Sequence, residues 1–554
     1  MASSPGPVIA LLLGMLDTAI VGGGLSGLAL ASLLCTQDID CRLFEARERL
    51  GGRALTVKEP PRLVKDGRGL TRDLPRQTLD LGPTWFWPAE NPHLVRLLGA
   101  LGIATFDQYE TGRLVFAPLA GVPPRRVQSP GVYASAQRIV GGVGAVVDAL
   151  AGRIGAARLA LGHELVALAQ RADCVELTLA HRGSVVKVQA RRVVLAMPPR
   201  LLNERVEFTP RLSPDFRAAL AETPTWMASH AKALAPFSTA SWRTNGDSGA
   251  ALSPYPGAVL AEVFDACDAN GQAALGGFVA LSPREREAHR EDLARLVHDQ
   301  LTELFGPLPE ESPLPHIQDW ATERFTAAAL DLEQPALEPT GAPALTREPL
   351  WCGRLFVGGA ETAVAHPGHM EGALEVALRI AEVIIRGQPT EQGQAHLPLP
   401  KEARTEAWLQ GFRSRLQARR VEAAEVYRDV VQRALSAQDS NSITQRALLQ
   451  SAASAYRGAL SDLASAPFLH GKLDPRAIDE HVEAVIAPLA GLGQEILGDA
   501  MKSNQTSCAM RAFPDEVRPD SEYMHIIRAD LKTVLEECKR RVEAMLNAPP
   551  PNAA

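Results

Sequence analysis

The sequence lacks the cysteine pattern of a disulfide framework or a zinc site. Its seven cysteines are scattered and odd in number, and no two of them stand in C-x-x-C spacing. Disulfide-stabilised and zinc-binding domains carry their cysteines in regular, paired spacings. The cysteines therefore favour a reducing compartment, and we expect a cytoplasmic protein without a metal site.

An excess of basic charge is also absent. The 554 residues carry a net charge of −7 at pH 7, and the pI is about 6.1. Proteins that hold nucleic acids or anionic membranes by charge present a basic patch or stripe. We therefore expect no nucleic-acid or membrane partner and favour small-molecule chemistry.

No hydrophobic run is long enough to be read as a membrane span. Apolar residues are frequent from Val8 to Leu34, but Asp17 and a glycine cluster interrupt them. No Lys or Arg precedes "VIALLLGML" and no convincing cleavage site follows it, which argues against a signal peptide. No transmembrane segment is predicted.

A glycine-rich turn follows the first β-prone run. In "DTAIVGGGLSGLALASLLC" a short apolar strand leads to Gly22, Gly24 and Gly27, and small residues and leucines continue as a helix. These glycines let the chain turn, let a pyrophosphate approach the backbone and let the helix pack on the strand. About twenty residues later "CRLFEA" ends in Glu45, whose carboxylate can accept both hydroxyls of an adenosine ribose. A dinucleotide site is predicted, with NAD and FAD both open.

The segment after this strand resembles a flavoprotein signature. "EARERLGGRA" is similar to the E-A-x-x-R-x-G-G-R pattern of two-dinucleotide-binding-domain flavoproteins, in which the glycine pair and last arginine lie along the FAD diphosphate and flavin. The resemblance implies that Arg53 contacts the cofactor, with Arg49 as a supporting charge. A solvated loop would account for Arg47 and Glu48 but not for the Gly51-Gly52-Arg53 run.

From residue 17 to residue 387 the sequence resembles the flavin-dependent amine oxidases, the family of monoamine, polyamine and many bacterial L-amino-acid oxidases. "LDLGPTWFWP", "GHELVALAQ", "ARRVVLAMPPRLL" and "FVGGAETAVAHPGHMEGALEVALR" each match a family segment. In the last of these, the resemblance assigns Glu361 to the ribitol of FAD and the Met370 backbone to the pyrimidine end of the flavin. A helix starting there directs partial positive charge at the reduced flavin.

The resemblance thus implies a full set of cofactor-binding residues. They are Gly22, Gly24, Ser26, Gly27, Glu45, Ala46, Arg47, Gly52, Arg53, Gly82, Val166, Glu361 and Met370.

Catalytic residues follow from the same resemblance. Lys232 stands ten positions before Trp242, the spacing of the family's water-linked lysine and a tryptophan. The alternative is a strand-edge lysine that points at solvent. Trp320 in "DWATERFTAAALD" matches the tryptophan on the substrate face of the flavin.

Three positions depart from the family pattern. Counted from Trp320, Ala329 stands where members with covalent FAD carry a cysteine, so we expect non-covalent FAD. Leu330 and His369 stand where two tyrosines normally form an aromatic cage around the substrate amine. We count His369 among the catalytic candidates, as a hydrogen-bond partner or a base; a histidine satisfied by nearby backbone is the open alternative.

The implied activity is that of an FAD-dependent oxidase of amines or amino acids. Hydride would pass from the carbon bearing the amine to flavin N5, the imine would hydrolyse, and O2 would reoxidise the flavin to give hydrogen peroxide. The lost cage leaves two alternatives open. One is a flavin oxidoreductase acting on a C–C centre, as carotenoid-desaturase-like relatives do, and the other is an inactive FAD-stabilised scaffold with a partner-binding tail.

The expected fold class is α/β, with a Rossmann-like FAD-binding domain interleaved with a mixed-sheet substrate domain and followed by a C-terminal α-helical domain. We place the FAD-binding domain at 17–88, 138–222 and 345–388, the substrate domain at 89–137 and 223–344, a linker at 389–400 and the helical domain at 401–546.

The C-terminal region reads as helical because apolar residues recur at helical spacing. Asp474 is expected to cap a helix that starts at Pro475. These helices offer a surface for a homodimer or another protein partner, or they close the site in place of a short substrate-domain roof. The two apolar stripes are Trp408, Phe412, Leu416, Ala423, Val426 and Val430, and Ile527, Leu531, Val534, Cys538, Val542 and Met545.

Overall fold

The structure is a computed structural model of the chain, and it divides into two compact units, residues 1–388 and 389–554. The expected linker, Trp408 and Asp474 lie outside the residues that the structure describes. Those residues are 8–10, 14–60, 62–65, 71–74, 76–128, 131, 133–307, 313–336, 339–386, 412, 415–416, 419–424, 426–431, 434, 442–463, 475–506 and 514–547.

The strands found among the described residues belong to the first unit. They are β1 (Val8–Ala10), β2 (Leu16–Val21), β3 (Cys41–Phe44), β4 (Thr56–Lys58), β5 (Arg62–Lys65), β6 (Thr71–Leu74), β7 (Thr78–Asp80), β8 (Thr105–Asp107), β9 (Arg113–Phe116), β10 (Arg125–Gln128), β11 (Gln137–Ile139), β12 (Leu159–Ala160), β13 (Glu164–Gln170), β14 (Val175–His181), β15 (Ser184–Leu195), β16 (Glu207–Thr209), β17 (Ala231–Pro236), β18 (Asp247–Leu252), β19 (Leu260–Asp265), β20 (Ala274–Val279), β21 (His316–Asp319) and β22 (Leu355–Val357).

The α-helices occur in both units. In the first unit they are α1 (Leu25–Cys35), α2 (Pro92–Leu101), α3 (Val143–Ile154), α4 (Pro199–Arg205), α5 (Pro214–Ala221), α6 (Ser241–Thr244), α7 (Pro283–Ala288), α8 (Leu293–Phe305), α9 (Ala329–Glu333) and α10 (Met370–Arg386). In the second unit they include Ile443–Leu463, Pro475–Thr506, Pro514–Val517 and Ser521–Asn547.

The first sheet has the strand order β12-β3-β2-β15-β14-β13-β16, and β1 and β22 also pair with β15. Strands β12, β3, β2 and β22 run parallel to the neighbours they pair with, including the last residues of β15. Because the ends of β2, β3, β15 and β22 are in register, Gly22, Glu45, Ala196 and Gly358 leave the sheet at one edge. That edge is where open α/β sheets bind their ligands.

Helices α1, α3 and α10 pack together on this sheet and share its core. The residues of α1 are small or apolar, and nearly all of them are buried. A helix buried on every side fits the leucine- and alanine-rich sequence after the glycine turn. Helix α2, which falls in the range we assigned to the substrate domain, buries Leu94 and Leu98 in this same core.

The second sheet has the strand order β10-β9-β18-β19-β20-β17-β21 and is antiparallel apart from the β18–β9 pair. Helix α8 packs its apolar face against this sheet. Phe237 and Trp242 meet in its core with ring centroids 5.7 Å apart in an edge-on arrangement. Together the two sheets form the expected α/β fold, with one mostly parallel and one mixed sheet.

The second unit has its own hydrophobic core among helices. Buried members of the two predicted stripes are Phe412, Leu416, Ala423, Ile527, Leu531, Cys538 and Val542. Pro475 is the first residue of its helix, as predicted. Glu516 caps the helix Ile443–Leu463 by accepting from the N–H groups of Ile443 and Thr444, both at 2.9 Å.

Across the ranges described above, no helix combines the length and apolarity needed to cross a membrane. The same residues contain no group of three or more His, Cys, Asp or Glu side chains arranged to hold a metal ion.

Candidate functional site

The turn after β2 shows three uses of glycine. Gly22 has a φ of +109°, and a Cβ there would lie 2.3 Å from the carbonyl oxygen of Ala196. A Cβ on Gly27 would lie 2.0 Å from the carbonyl oxygen of Gly22, so α1 packs this close to the turn only without a side chain. At Gly24, by contrast, no heavy atom of the described residues lies within 4 Å of the Cβ position. Gly22 and Gly27 therefore serve the fold, while Gly24 leaves open space.

Glu45 follows β3 and is buried beside this turn. One carboxylate oxygen accepts from the Gly23 N–H at 2.6 Å, and the other accepts from the Arg47 N–H at 2.8 Å. An ionised carboxylate has about four acceptor positions. Glu45 is thus held in place with capacity left for ligand hydroxyls.

The guanidinium of Arg47 is engaged by protein groups. Its Nε and Nη2 donate to Glu323 at 3.0 and 2.9 Å, and Nη2 donates to the Thr326 hydroxyl at 2.8 Å. Arg47 and Ala46 both line the cavity described below. Arg47 therefore ties the loop after β3 to the segment after β21.

The loop 49–53 is held by its own arginines. Arg49 donates to the carbonyl of Gly52 at 2.8 Å, and burial, followed by the charge of Arg47, lowers the pKa of Arg49. Arg53 Nη1 lies 2.6 Å from a carboxylate oxygen of Glu361 and donates to the backbone carbonyl of Trp226 at 3.1 Å.

Glu361 follows β22 and is 1% exposed. Apart from the ion pair with Arg53, neither of its oxygens has a hydrogen-bond partner in the described part of the chain. A buried carboxylate without hydrogen bonds is costly, and such groups in proteins usually serve a ligand or a water. Glu361 is not itself among the residues that line the two cavities described below, but its ion-pair partner Arg53 lines both of them and Ala360 lines the first.

Helix α10 begins at this same edge. The carbonyl of His369 accepts the first intrahelical hydrogen bond, from the Ala373 N–H at 3.0 Å. The carboxylate of Glu371 accepts from the N–H groups of His93 and Leu94 and so caps α2, and Glu371 also lines the second cavity described below. The N-terminus of α10 favours negative charge nearby.

A first cavity lies along the carboxyl edge of the sheet. It is lined by Gly22, Gly24, Ser26, Glu45, Gly52, Arg53, Ala360 and Met370, among others. Ser26 also donates to the carbonyl of Gly358 at 2.7 Å and thereby links α1 to the end of β22.

A second cavity of about 370 Å³ adjoins the first. Its apolar walls are Trp85, Trp87, Trp226, Phe278 and Trp320. Arg53, Pro83, Gly368, His369 and Met370 line both cavities. The two spaces therefore share one wall.

Lys232 extends from β17 into the second cavity. The strand lies between β20 and β21, and the residue is only 4% exposed, so the solvent-facing alternative is wrong. Its Nζ donates to the carbonyl of Gly82 at 2.7 Å and to the hydroxyl of Thr84. Burial lowers the pKa of Lys232 to about 7, against the opposing charge of Asp80.

His369 stands at the shared wall with its ring 6.1 Å from that of Trp226. Its Nδ1 lies 3.0 Å from the carbonyl oxygen of Pro367, which can only accept. The neutral ring therefore carries its proton on Nδ1 and keeps Nε2 as an acceptor. Desolvation by the surrounding protein lowers the pKa of His369, although the residue is exposed to solvent.

Some predicted residues lie apart from the cavities. Leu330, expected in a wall of the substrate space, lies in α9 with Ala329, and neither residue lines either cavity. Val166 sits at the irregularity of β13, while its neighbour Leu165 lines the first cavity. Trp242 is fully buried and donates to Asp265 at 2.8 Å, so it belongs to the core of the second sheet.

Other site residues were not predicted. Trp226 approaches His369 because Gly368 has no side chain, and a Cβ there would lie 2.6 Å from the Cβ of Trp226. These residues are far apart in sequence, so no local signal pointed to Trp226. Thr84 and His163 lie in "LDLGPTWFWP" and "GHELVALAQ", two segments that resemble the amine oxidase family. Their polar side chains could have identified them as candidate site residues.

Two family models match the first unit. A model described as flavin containing amine oxidoreductase matches residues 106–385, and one described as NAD(P)-binding Rossmann-like domain matches residues 20–101.

Individual proteins are similar over about two thirds of the chain. Amine oxidase [flavin-containing] A of Canis lupus familiaris is 23% identical over 460 residues, covering 67% of this chain and 85% of the relative. Putrescine oxidase with bound putrescine has a TM-score of 0.52 at 20% identity, covering 69% of this chain and 100% of that one. Cyclohexylamine oxidase from Brevibacterium oxydans IH-35A has a TM-score of 0.52 at 19% identity, covering 67% and 99%. The two structures support the fold of this chain.

The fold, the two adjoining cavities and the amine oxidoreductase match, which spans half of the 554 residues, agree with one another. The chain belongs to the flavin-containing amine oxidoreductase family.

Proposed function

We propose that this protein is an FAD-dependent oxidase of amines that releases hydrogen peroxide. The observation that carries the proposal is the wall shared by the two cavities, with the Lys232 amine in the second of them. A cofactor in the first cavity and a substrate in the second would meet at this wall.

The residues of the first cavity fit FAD. Gly24 leaves room for a diphosphate, and Glu45 has acceptor capacity for ribose hydroxyls. Beside this cavity, the carboxylate of Glu361 pairs with Arg53 and has no hydrogen-bond partner among the described residues, so it suits the hydroxyls of a ribityl chain. The start of α10 suits the negative charge of a reduced flavin.

We further propose that FAD is bound without a covalent link. Of the cysteines in the described residues, none lines either cavity. A thiol attachment would need a cysteine side chain at the cofactor, and this supports the non-covalent proposal.

When bound, FAD supplies the acceptor for hydride from the carbon that bears the amine, and O2 returns it to the oxidised state. The protein supplies orientation, a dry cavity and control of protons. The tryptophan and phenylalanine walls of the second cavity exclude water and hold an apolar substrate body.

Lys232 is the group best suited to hold and move a proton. Its pKa of about 7 means that ammonium and amine are both populated near neutral pH. The Gly82 carbonyl fixes Nζ in place. His369 offers a second proton acceptor at Nε2, on the shared wall.

The charges of the second cavity favour amines over amino acids. A substrate carboxylate needs a cationic partner, but Arg53 is paired with Glu361 and Lys232 is bound to Gly82 and Thr84. Glu90 also lines this cavity and would repel a carboxylate. We therefore propose substrates without a carboxylate next to the amine.

Anaerobic mixing of the purified yellow protein with amines, amino acids and polyenes tests the proposal, followed by admission of air and a peroxide assay. Bleaching of the flavin by amines, with peroxide on aeration, is expected. Bleaching by polyenes alone would support the C–C oxidoreductase instead, and no bleaching by any compound would support an inactive scaffold. A preference for amino acids over the matching amines would contradict the proposed substrate class.

A further inference from the structure

His163 stands at the ribose end of the first cavity. Three backbone hydrogen bonds join the loop that carries it to the residues after β3. The N–H groups of Glu45, Gly162 and His163 donate to the carbonyls of Ala160, Arg47 and Glu45 at 2.9, 3.0 and 2.8 Å, respectively. His163 lines the cavity next to Glu45. Its side chain therefore belongs to the part of the cavity where an adenosine would lie.

The ring of His163 is stacked on that of His181. Their centroids are 4.0 Å apart, and the planes differ by 15°. Nδ1 of His163 lies 2.6 Å from the Leu161 carbonyl, and Nδ1 of His181 lies 2.9 Å from the Gly162 carbonyl. Both carbonyls accept, so both rings carry a proton on Nδ1 and are fixed in orientation.

The surroundings keep His163 neutral. Burial lowers its pKa, and His181 and Arg42 act in the same direction, while the hydrogen bond to the Leu161 carbonyl and the charge of Glu48 oppose them. A neutral ring with a proton on Nδ1 keeps Nε2 as an acceptor. His163 thus offers a rigid aromatic surface and one acceptor, which match the face and the amino group of a purine.

We propose that the adenine of FAD rests against His163, with His181 as its support. The inference depends on the proposed FAD cofactor and adds the residue that recognises its adenine. Stacking of a base on an aromatic side chain is typically lost when the ring is removed, at a cost of roughly tenfold or more in affinity.

Titration of the flavin-free full-length protein with FAD, followed by quenching of flavin fluorescence, tests this contact. We expect His163→Ala to raise the Kd for FAD roughly tenfold. His163→Phe, which keeps an aromatic face but loses the Nε2 acceptor, should raise the Kd less than His163→Ala does, and His289→Ala, at an exposed position that lines neither cavity, should leave the Kd unchanged. His163→Ala binding FAD as tightly as the wild type would overturn the inference.

Competition by ADP locates the effect. ADP carries the adenine half of the cofactor alone, so His163→Ala should weaken ADP by the same factor as FAD. Weaker FAD with unchanged ADP would overturn the inference. If His163→Ala fails to fold, His163→Leu is compared with His163→Phe instead. We expect His163→Leu to bind both FAD and ADP more weakly than His163→Phe does. Equal affinities in the two variants would overturn the inference. A wild-type protein that binds ADP but no FAD would defeat the proposed cofactor instead.

Discussion

At the scale of single residues, the site is built around a buried amine whose charge is poorly tolerated. Lys232 is enclosed by the rings of Phe264, Phe278 and Trp85 at 5.3 to 5.9 Å from Nζ, which partly stabilise the cation. Desolvation outweighs these contacts and brings the pKa from 10.5 to about 7. A lysine in this state is suited to proton transfer rather than to structure.

We expect Lys232→Met to lower kcat/KM for the best amine by about 100-fold, because removing a positioned acid or base typically has an effect of this order. The flavin absorbance spectrum should persist, since Lys232 lies in the second cavity. Steady-state peroxide release measures the change. Lys58→Met, at an exposed surface ion pair, is the matched control; an equal loss in both variants would contradict a specific role.

The pH dependence follows from the same residue. Above about pH 7 the Lys232 amine is mostly neutral and can accept a proton, while below that value it is charged and cannot. We expect kcat/KM to rise through pH 7 in the wild type, beyond the rise due to ionisation of the substrate itself. Lys232→Met should keep only the substrate's contribution, and identical profiles would show that Lys232 does not titrate in the reaction.

Glu361→Gln should raise the Kd for FAD roughly tenfold, because hydrogen bonds to a charged acceptor are stronger than those to a neutral amide. The variant also leaves Arg53 without its ion-pair partner. Flavin fluorescence titration measures the affinity. Glu382→Gln, on the exposed side of α10, should bind FAD as the wild type does.

At the scale of elements, the glycines of the strand-turn-helix unit β2–α1 have two different roles: some permit close packing of the backbone, and one leaves space for a ligand. Gly22 and Gly27 allow close approach of backbone to backbone, whereas Gly24 faces open space. The cap of α2 by Glu371 of α10 likewise ties two elements to the same edge. The first cavity is thus shaped by contacts between elements.

Gly24→Ala is expected to fold normally and to bind FAD at least tenfold more weakly, because its methyl group enters the space proposed for the diphosphate. Its φ of −73° suits alanine. Gly22→Ala, by comparison, should lower the melting temperature of the flavin-free protein, because its Cβ would clash with Ala196. Thermal denaturation and FAD titration separate the two effects, and an unchanged Kd for Gly24→Ala would contradict the placement of the diphosphate.

At the scale of the whole molecule, every residue proposed to bind FAD or substrate lies in the first unit. The second unit has a separate core. We therefore expect a chain ending at residue 388 to fold and bind FAD with an affinity close to that of the full protein. Loss of flavin from the truncated chain would contradict this expectation.

The same truncation tests our hypothesis that the C-terminal helices close the substrate site. A fall in amine turnover with flavin retained would support it, and undiminished kinetics would oppose it.

Local sequence alone predicted the residues of the strand-turn-helix edge around the first cavity. The glycine turn, Glu45 and the start of α10 were predictable because backbone geometry near a cofactor restricts which residues can stand at those positions. The α/β class and the flavin-containing family followed from the same segments.

Only the tertiary structure decided which side chains meet at the shared wall. It placed Lys232 inside a cavity, brought Trp226 beside His369, and left Leu330 in α9 away from both cavities. Positions counted along a chain locate a residue only while the intervening backbone keeps its length and course. These contacts join segments that are distant in sequence, so their physical cause is packing between the two sheets and the helices, which no local pattern records.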